Sequence, residues 1–291
     1  MKRVMVEVKR VGVVGAGTMG RGIAQVTAEA GYETLIYDVK PEAVLDALNT
    51  IKKMMERAVE KGAKTQVEAE AVLKRVKPCS SLEELAHGDI DLAIEAVFED
   101  VEVKRQVFQE LDKHCKAECI LASNTSSISI TLLASYTKRP GKVIGLHFFN
   151  PAPVMKLVEV VLGEWTSPET LETALKFVES LGKVPVQVKD TPGFIVNRLI
   201  IPFINEAAQM VMEGVAKPED IDTACKLGLN HPIGPLALAD LIGLDVIQAI
   251  METLYRETGD PKYRVCPLIR RMVRAGLLGR KSGRGFYNYA K

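Results

Sequence analysis

Residues 10–38 read RVGVVGAGTMGRGIAQVTAEAGYETLIYD, and the fold is decided here. The apolar run Arg10–Val14 is followed at once by Gly15-Ala16-Gly17-Thr18-Met19-Gly20, a G-x-G-x-x-G pattern. Alone this pattern is weak, because glycine turns before helices are common and need bind nothing. Its context is more demanding. A helix with a small near face (Ile23, Ala24, Thr27, Ala28) follows, then a second apolar run, Thr34–Tyr37, closed by Asp38. Strand, glycine turn, helix, strand and acid at that spacing form the fingerprint of a dinucleotide site. Gly15 permits the tight turn, Gly17 offers no side chain to block a pyrophosphate, and Gly20 lets helix and strand approach. The loop from Gly15 through Ala16, Gly17, Thr18 and Met19 to Gly20 aims unpaired N–H groups at the phosphates. Asp38 is suited to accept from adenosine ribose hydroxyls and to repel a 2′-phosphate, which predicts NAD over NADP. Lys40 partly offsets that repulsion.

Outward from this stretch, apolar strands alternate with amphipathic helices, the mark of a parallel sheet covered on both faces. Further strands are expected at Asp91–Val97, Cys119–Ala122, Val143–Leu146, Leu157–Val161 and Val184–Val188. A long helical stretch with Val44, Leu48, Ile51 and Met55 on one side carries Lys52, Lys53, Arg57, Lys61 and Lys64 on the other. Another helix follows Asp100. At Asp190-Thr191-Pro192-Gly193 the texture changes, and strand signals give way to helices at Phe194–Glu213, Pro218–Leu227, Pro235–Thr253 and Pro261–Ala275. The fold class expected is an α/β Rossmann-type nucleotide-binding domain, residues 1–189, followed by an all-α C-terminal domain, residues 190–291. The Phe194–Glu213 helix is apolar around most of its circumference, which suits burial on several sides and a subunit interface.

Composition narrows the function classes. Of 291 residues 47% are hydrophobic, enough for a sizeable core, and the net charge is +1 with acids and bases interspersed. That balance argues against nucleic acid or an anionic membrane as partner. The N-terminal MKRVMVEVKRV lacks the apolar core of a signal peptide, and no run approaches a membrane span; a cytoplasmic protein is expected. Five scattered cysteines read as thiols in a reducing compartment. His114 beside Cys115 and Cys119 hints at a metal, yet a structural zinc needs four spaced ligands, so no metal is expected.

The chemistry concentrates in three segments: Ala122-Ser123-Asn124-Thr125-Ser126-Ser127, Gly145-Leu146-His147-Phe148-Phe149-Asn150-Pro151, and Met155-Lys156-Leu157-Val158-Glu159-Val160. Each has a bland explanation. Hydroxyl residues after a strand cap helices, a lone His near apolar residues is commonly structural, and Glu159 on an edge strand would face solvent. Their coincidence at strand ends of one sheet favours chemistry, because alcohol oxidation needs a base, a group that orients it and donors to the hydroxyl.

With these motifs, together with KDTPGFIVNR and the terminal GRKSGRGFYNY, the chain resembles the L-3-hydroxyacyl-CoA dehydrogenase family from about Arg10 to its end. The first nine residues precede the family's usual start. The resemblance implies that His147 is the general base and that Glu159 holds its ring. It implies that Ser126 and Asn197 surround the reacting oxygen and nicotinamide and contact substrate. Glu99, Lys104, Asn124 and Lys281 correspond to residues lining the cofactor, and Lys61 to a contact for the CoA phosphates, where a solvated basic helix face is an equal explanation. An acyl-CoA substrate and a homodimer follow from the same likeness. Two other readings stay open: a related dehydrogenase of a sugar acid, and a nucleotide-binding protein that has lost catalysis.

Overall fold

The structure is a computed structural model that describes residues 7–289. The first six of the nine N-terminal residues noted above lie outside the described residues. Two compact units emerge, Met1–Thr191 and Pro192–Lys291.

In the first unit eight strands form one sheet: β1 (Arg10–Val14), β2 (Glu33–Tyr37), β3 (Val76–Pro78), β4 (Leu92–Glu95), β5 (Ile120–Ser123), β6 (Val143–Phe148), β7 (Leu157–Leu162) and β8 (Val184–Lys189). Their spatial order is β3-β2-β1-β4-β5-β6-β7-β8. All neighbours are parallel except β6 and β7. The inner strands β4, β5 and β6 are buried at every position, as helix-covered parallel strands must be. The edges differ: β3 exposes Lys77 and Pro78, and β8 exposes Val184, Gln187 and Lys189, which blunts them against further pairing. Helices α1 (Thr18–Glu29), α2 (Pro41–Glu60), α3 (Gln66–Arg75), α4 (Leu82–His87), α5 (Val101–His114), α6 (Ile130–Ser135) and α7 (Pro168–Ser180) complete the unit. Val11, Val13, Ile23, Ile36, Ile51 and Ile94 lie in its core.

The strand order reverses between β1 and β4, so the chain leaves their carboxyl ends in opposite directions and opens a crevice there. Strand β3 has no counterpart in the sequence reading. Three residues that include Lys77 and Pro78 carry no alternation; the strand exists because Val76 pairs with Thr34 at the edge of β2.

The second unit contains α8 (Val196–Glu213), α9 (Pro218–Gly228), α10 (Pro235–Ile242), α11 (Leu244–Thr258) and α12 (Pro267–Arg274). Its core gathers Ile201, Ile204, Leu236, Ile247, Met251 and Ile269. The helix expected over Pro235–Thr253 is two helices. Gly243 stands between them at φ +106°, a conformation that strains any L side chain. The one expected over Pro261–Ala275 is a 3-10 turn, Pro261–Tyr263, followed by α12. Residues 283–289 run without helix and are held by two buried carboxylates. Asp240 accepts from Phe286 N and Tyr287 N, both at 2.9 Å. Asp222 accepts from Leu236 N, Ala237 N and the Tyr287 hydroxyl. Burial, and then the bond to Asp222, push the Tyr287 phenol well above its ordinary range. Among the described residues no helix is long and apolar enough to cross a membrane.

Candidate active site

The reversal of direction between β6 and β7 places two polar residues side by side. His147 and Glu159 are direct partners in the antiparallel register, so their side chains share one face of the sheet. His147 Nδ1 lies 2.7 Å from Glu159 Oε2, and Nε2 lies 2.9 Å from the Ser126 hydroxyl. His147 is 4% exposed and Glu159 0%. An ionised carboxylate can only accept, so the ring proton belongs on Nδ1 and the lone pair of Nε2 faces Ser126. Ser126 stands in the loop beyond β5, whose other members were the hydroxyl cluster of the sequence. Their coincidence at strand ends is real geometry.

Beneath that loop lies a polar cluster that sequence reasoning saw only in part. Glu95, at the end of β4, accepts from Lys104 Nζ at 2.6 Å, Ser123 Oγ at 2.6 Å and Val97 N at 2.7 Å. Lys104 is 1% exposed and also meets Glu99 at 3.2 Å. Glu99 Oε1 in turn accepts from Thr125 Oγ1 and from the backbone N–H groups of Ser126 and Ser127. Burial would push the Glu99 carboxyl up, but the Lys104 ammonium and the hydroxyls of Thr125 and Ser127 outweigh it and hold it below the usual carboxylate value. Asn124 fastens the loop sideways, its Oδ1 accepting from Phe148 N at 2.9 Å. Ser126 thus meets His147 from a loop fixed by Glu95, Glu99 and the backbone of Phe148.

Glu95 and Lys183 were not foreseen, and Ser123 was seen only as a member of the hydroxyl cluster. Lys183 donates to Ala152 O at 2.6 Å and Met155 O at 2.7 Å, tying down the turn that joins β6 to β7. Burial lowers its pKa, opposed by Glu29. A signal for Glu95 existed: an acid closing an otherwise apolar strand at its carboxyl end.

The crevice at the β1–β4 switch is a cavity of about 900 Å³ lined by Gly15, Gly17, Thr18, Met19 and Asp38. The glycine loop fits a dinucleotide. A Cβ at Gly15 would lie 2.5 Å from Ala96 O, and one at Gly20 would lie 1.8 Å from Gly15 O, so both must be glycine. At Gly17 a Cβ would meet nothing within 4 Å. The sheet and helix therefore do not require that glycine, and room for a ligand's phosphates explains it. Helix α1 has no side-chain N-cap bond, leaving its first N–H groups to an anion. Asp38 also braces the backbone on either side of the cavity. Its Oδ2 accepts from Ala16 N at 2.8 Å and its Oδ1 from Lys40 N at 3.0 Å. Phe98, 81% exposed, and Val39, 79%, line the same cavity, apolar surface suited to a flat ring.

Three more residues singled out in the sequence belong to other elements. Lys61 is the exposed C-cap of α2. Asn197 sits in the first turn of α8, and Lys281 pairs with Asp245 at 2.5 Å, both in the second unit.

Known proteins match this chain over nearly its whole length. The family model for the 3-hydroxyacyl-CoA dehydrogenase NAD binding domain matches residues 10–191, and that for the C-terminal domain matches residues 193–289. A probable 3-hydroxybutyryl-CoA dehydrogenase of Bacillus subtilis is 53% identical over 283 residues, covering 97% of this chain and 98% of the relative. The 3-hydroxybutyryl-CoA dehydrogenase of Clostridioides difficile is 50% identical over 282 residues, covering 97% and 100%. The crystal structure of (S)-3-hydroxybutyryl-CoA dehydrogenase from Ralstonia eutropha superposes with a TM-score of 0.95 at 47% identity, covering 98% and 100%. With a Rossmann-type NAD-binding domain in front and a helical domain behind, this chain belongs to the 3-hydroxyacyl-CoA dehydrogenase family.

Proposed function

We propose that the protein catalyses the reversible NAD-dependent oxidation of an (S)-3-hydroxyacyl-CoA, such as 3-hydroxybutyryl-CoA, to the 3-oxoacyl-CoA. The carrying observation is the hydrogen-bonded series Ser126–His147–Glu159, with steps of 2.9 and 2.7 Å. In oxidation Nε2 of His147 takes the proton of the substrate's 3-hydroxyl. Glu159 fixes the tautomer that leaves Nε2 basic, and its charge offsets the imidazolium that forms. Ser126 holds the reacting oxygen by its hydroxyl. In reduction the imidazolium returns the proton. NAD, when bound, supplies the hydride acceptor.

For the cofactor, the loop Gly15, Ala16, Gly17, Thr18, Met19, Gly20 takes the pyrophosphate and Asp38 the ribose hydroxyls, using lone pairs that its two backbone bonds leave over. Its charge disfavours a 2′-phosphate. Glu99, Asn124 and Lys104 act by shaping the loop at the cofactor's edge; Lys104, buried under Glu95 and Glu99, does so indirectly. Asn197 and Lys281 complete the substrate and cofactor contacts, and Lys61 meets the CoA phosphates. A homodimer is proposed through α8. Ile201, Ile204, Ala207 and Ala208 face that unit's own core, while Leu199 stays 70% exposed, apolar surface that a second copy would cover. A stable, active monomer at micromolar concentration in sedimentation would overturn the dimer.

The test of the function is turnover of 3-hydroxyacyl-CoA esters of increasing length with NAD and NADP. We expect NAD to be preferred, and Lys61→Ala to raise KM for the esters at low ionic strength. His147→Gln is expected to lose about a hundredfold or more in rate while still binding NADH. In Glu159→Gln the maximal oxidation rate should drop, because the His147 ring loses the carboxylate that orients it. Near-normal turnover by His147→Gln, or equal activity on hydroxy acids without CoA, would overturn the proposal.

A further inference from the structure

Helices α4 and α5 bring together residues that the reaction does not use. Glu83 and His87 are one helical turn apart on α4, and Glu110 and His114 are one turn apart on α5, so each pair projects from one face. The two faces meet. The imidazoles of His87 and His114 stand edge to face with centroids 5.2 Å apart. His114 Nδ1 is 3.8 Å from a Glu83 carboxylate oxygen, and its Nε2 is 3.4 Å from Glu110. One ligand atom from each of Glu83, His87 and His114 falls within 4.8 Å of the others.

We propose that Glu83, His87 and His114 form a binding site for a divalent transition-metal cation of the zinc type. Bonds of ~2.0–2.2 Å in a tetrahedron set ligand atoms roughly 3.3 Å apart. The Glu83–His114 separation is near that value, and the exposed side chains of Glu83 and His87 close the rest by rotation. Two imidazoles and a carboxylate suit zinc, nickel or copper rather than magnesium or calcium, which favour all-oxygen shells. Glu110, with a carboxylate oxygen 3.4 Å from Nε2 of His114, adds the negative charge of an outer carboxylate beside the ring whose Nδ1 faces the cation. Water completes the coordination on the open side. The two carboxylates cancel the cation's charge.

This grouping differs from the one the sequence suggested. His114 and Cys115 are adjacent in the chain, but Cys115 and Cys119 are buried, while His114 points across to α4. The cation would clamp α4 to α5 along a wall that Leu82 and Glu110 share with the 900 Å³ cavity.

The test is titration of the intact protein with Zn²⁺, Co²⁺ and Mg²⁺, followed by calorimetry and by the visible spectrum of Co²⁺. We expect one equivalent of Zn²⁺ bound, a raised melting temperature in its presence, no response to Mg²⁺, and a Co²⁺ spectrum without a thiolate charge-transfer band. His87→Gln and His114→Gln should each weaken Zn²⁺ binding at least tenfold. His87 is exposed, so that variant is expected to fold. Absence of Zn²⁺ binding, binding unchanged in both variants, or a thiolate band that assigns the ion to cysteine would overturn the site.

Discussion

Both units bury carboxylates, and they use them in opposite ways. In the first unit Glu95 is matched to a buried cation, Lys104, and to the hydroxyl of Ser123, all within one polar cluster under the Ser126 loop. In the second, Asp222 and Asp240 are matched chiefly to backbone N–H groups and to one tyrosine. The first arrangement shapes a loop that must present a hydroxyl to His147. In the second, Asp240 holds a chain segment that has no helix or strand of its own, and Asp222 ties the first turn of α10 to Tyr287 of that segment. Neutralising a charge with a charge links distant side chains; neutralising it with amides fastens whatever backbone passes by. Gly234 and Gly285 let the backbone come that close, since a Cβ at either would fall about 2 Å from an Asp222 or Asp240 side-chain atom.

The contrast breaks most readily at Glu95. Glu95→Ala leaves Lys104 buried with Glu99 as its remaining partner, and a loss of about 3–5 kcal/mol is expected in denaturant unfolding. Turnover should fall with it, because the Ser126 loop rests on this cluster. A loss below about 1 kcal/mol would mean that Glu99 alone compensates Lys104. A smaller effect, about 1.5–3 kcal/mol, is expected for Asp240→Asn, the scale of a charge-assisted bond. Its local readout is faster hydrogen exchange at Phe286 and Tyr287, and protection left intact there would deny the anchoring role. The smallest effect belongs to Glu99→Gln, under about 1 kcal/mol because its outer edge meets water. Glu99 is depressed in the folded protein, so its contribution is full above the ordinary carboxyl value of 4.5 and vanishes as pH falls through the lower folded value. Wild type should therefore lead the variant near neutrality and lose that lead in acid. A gap that persists at low pH would show that charge is not what Glu99 contributes.

What the sequence made legible were features that repeat or that cluster locally. The inner strands announce themselves as unbroken apolar runs, and the glycine loop shows its spacing. Features set by pairing were hidden. Strand β3 depends on a neighbour about forty residues away, and the break at Gly243 is masked because Leu236 through Leu254 keep helical spacing across it. Ser126, His147 and Glu159 could be suspected from position and from family likeness, but twelve residues separate the last two and no periodicity joins them. Glu95 reads as the tail of a strand until Lys104 and Ser123 are seen to converge on it. His114 was grouped with its chain neighbours, whereas Glu83 and His87, which face it, stand on another helix.

The register between β6 and β7 carries one more consequence. Because His147 and Glu159 are held opposite each other by main-chain bonds, their meeting is not left to a search among rotamers. It is completed when the sheet zips, long before any ligand arrives. Sliding either strand by one residue would turn one of the two side chains to the far side of the sheet, so no intermediate, half-aligned version of the pair exists. The accuracy of this pair is inherited from the spacing of a ladder, and it should be lost as abruptly as the ladder itself.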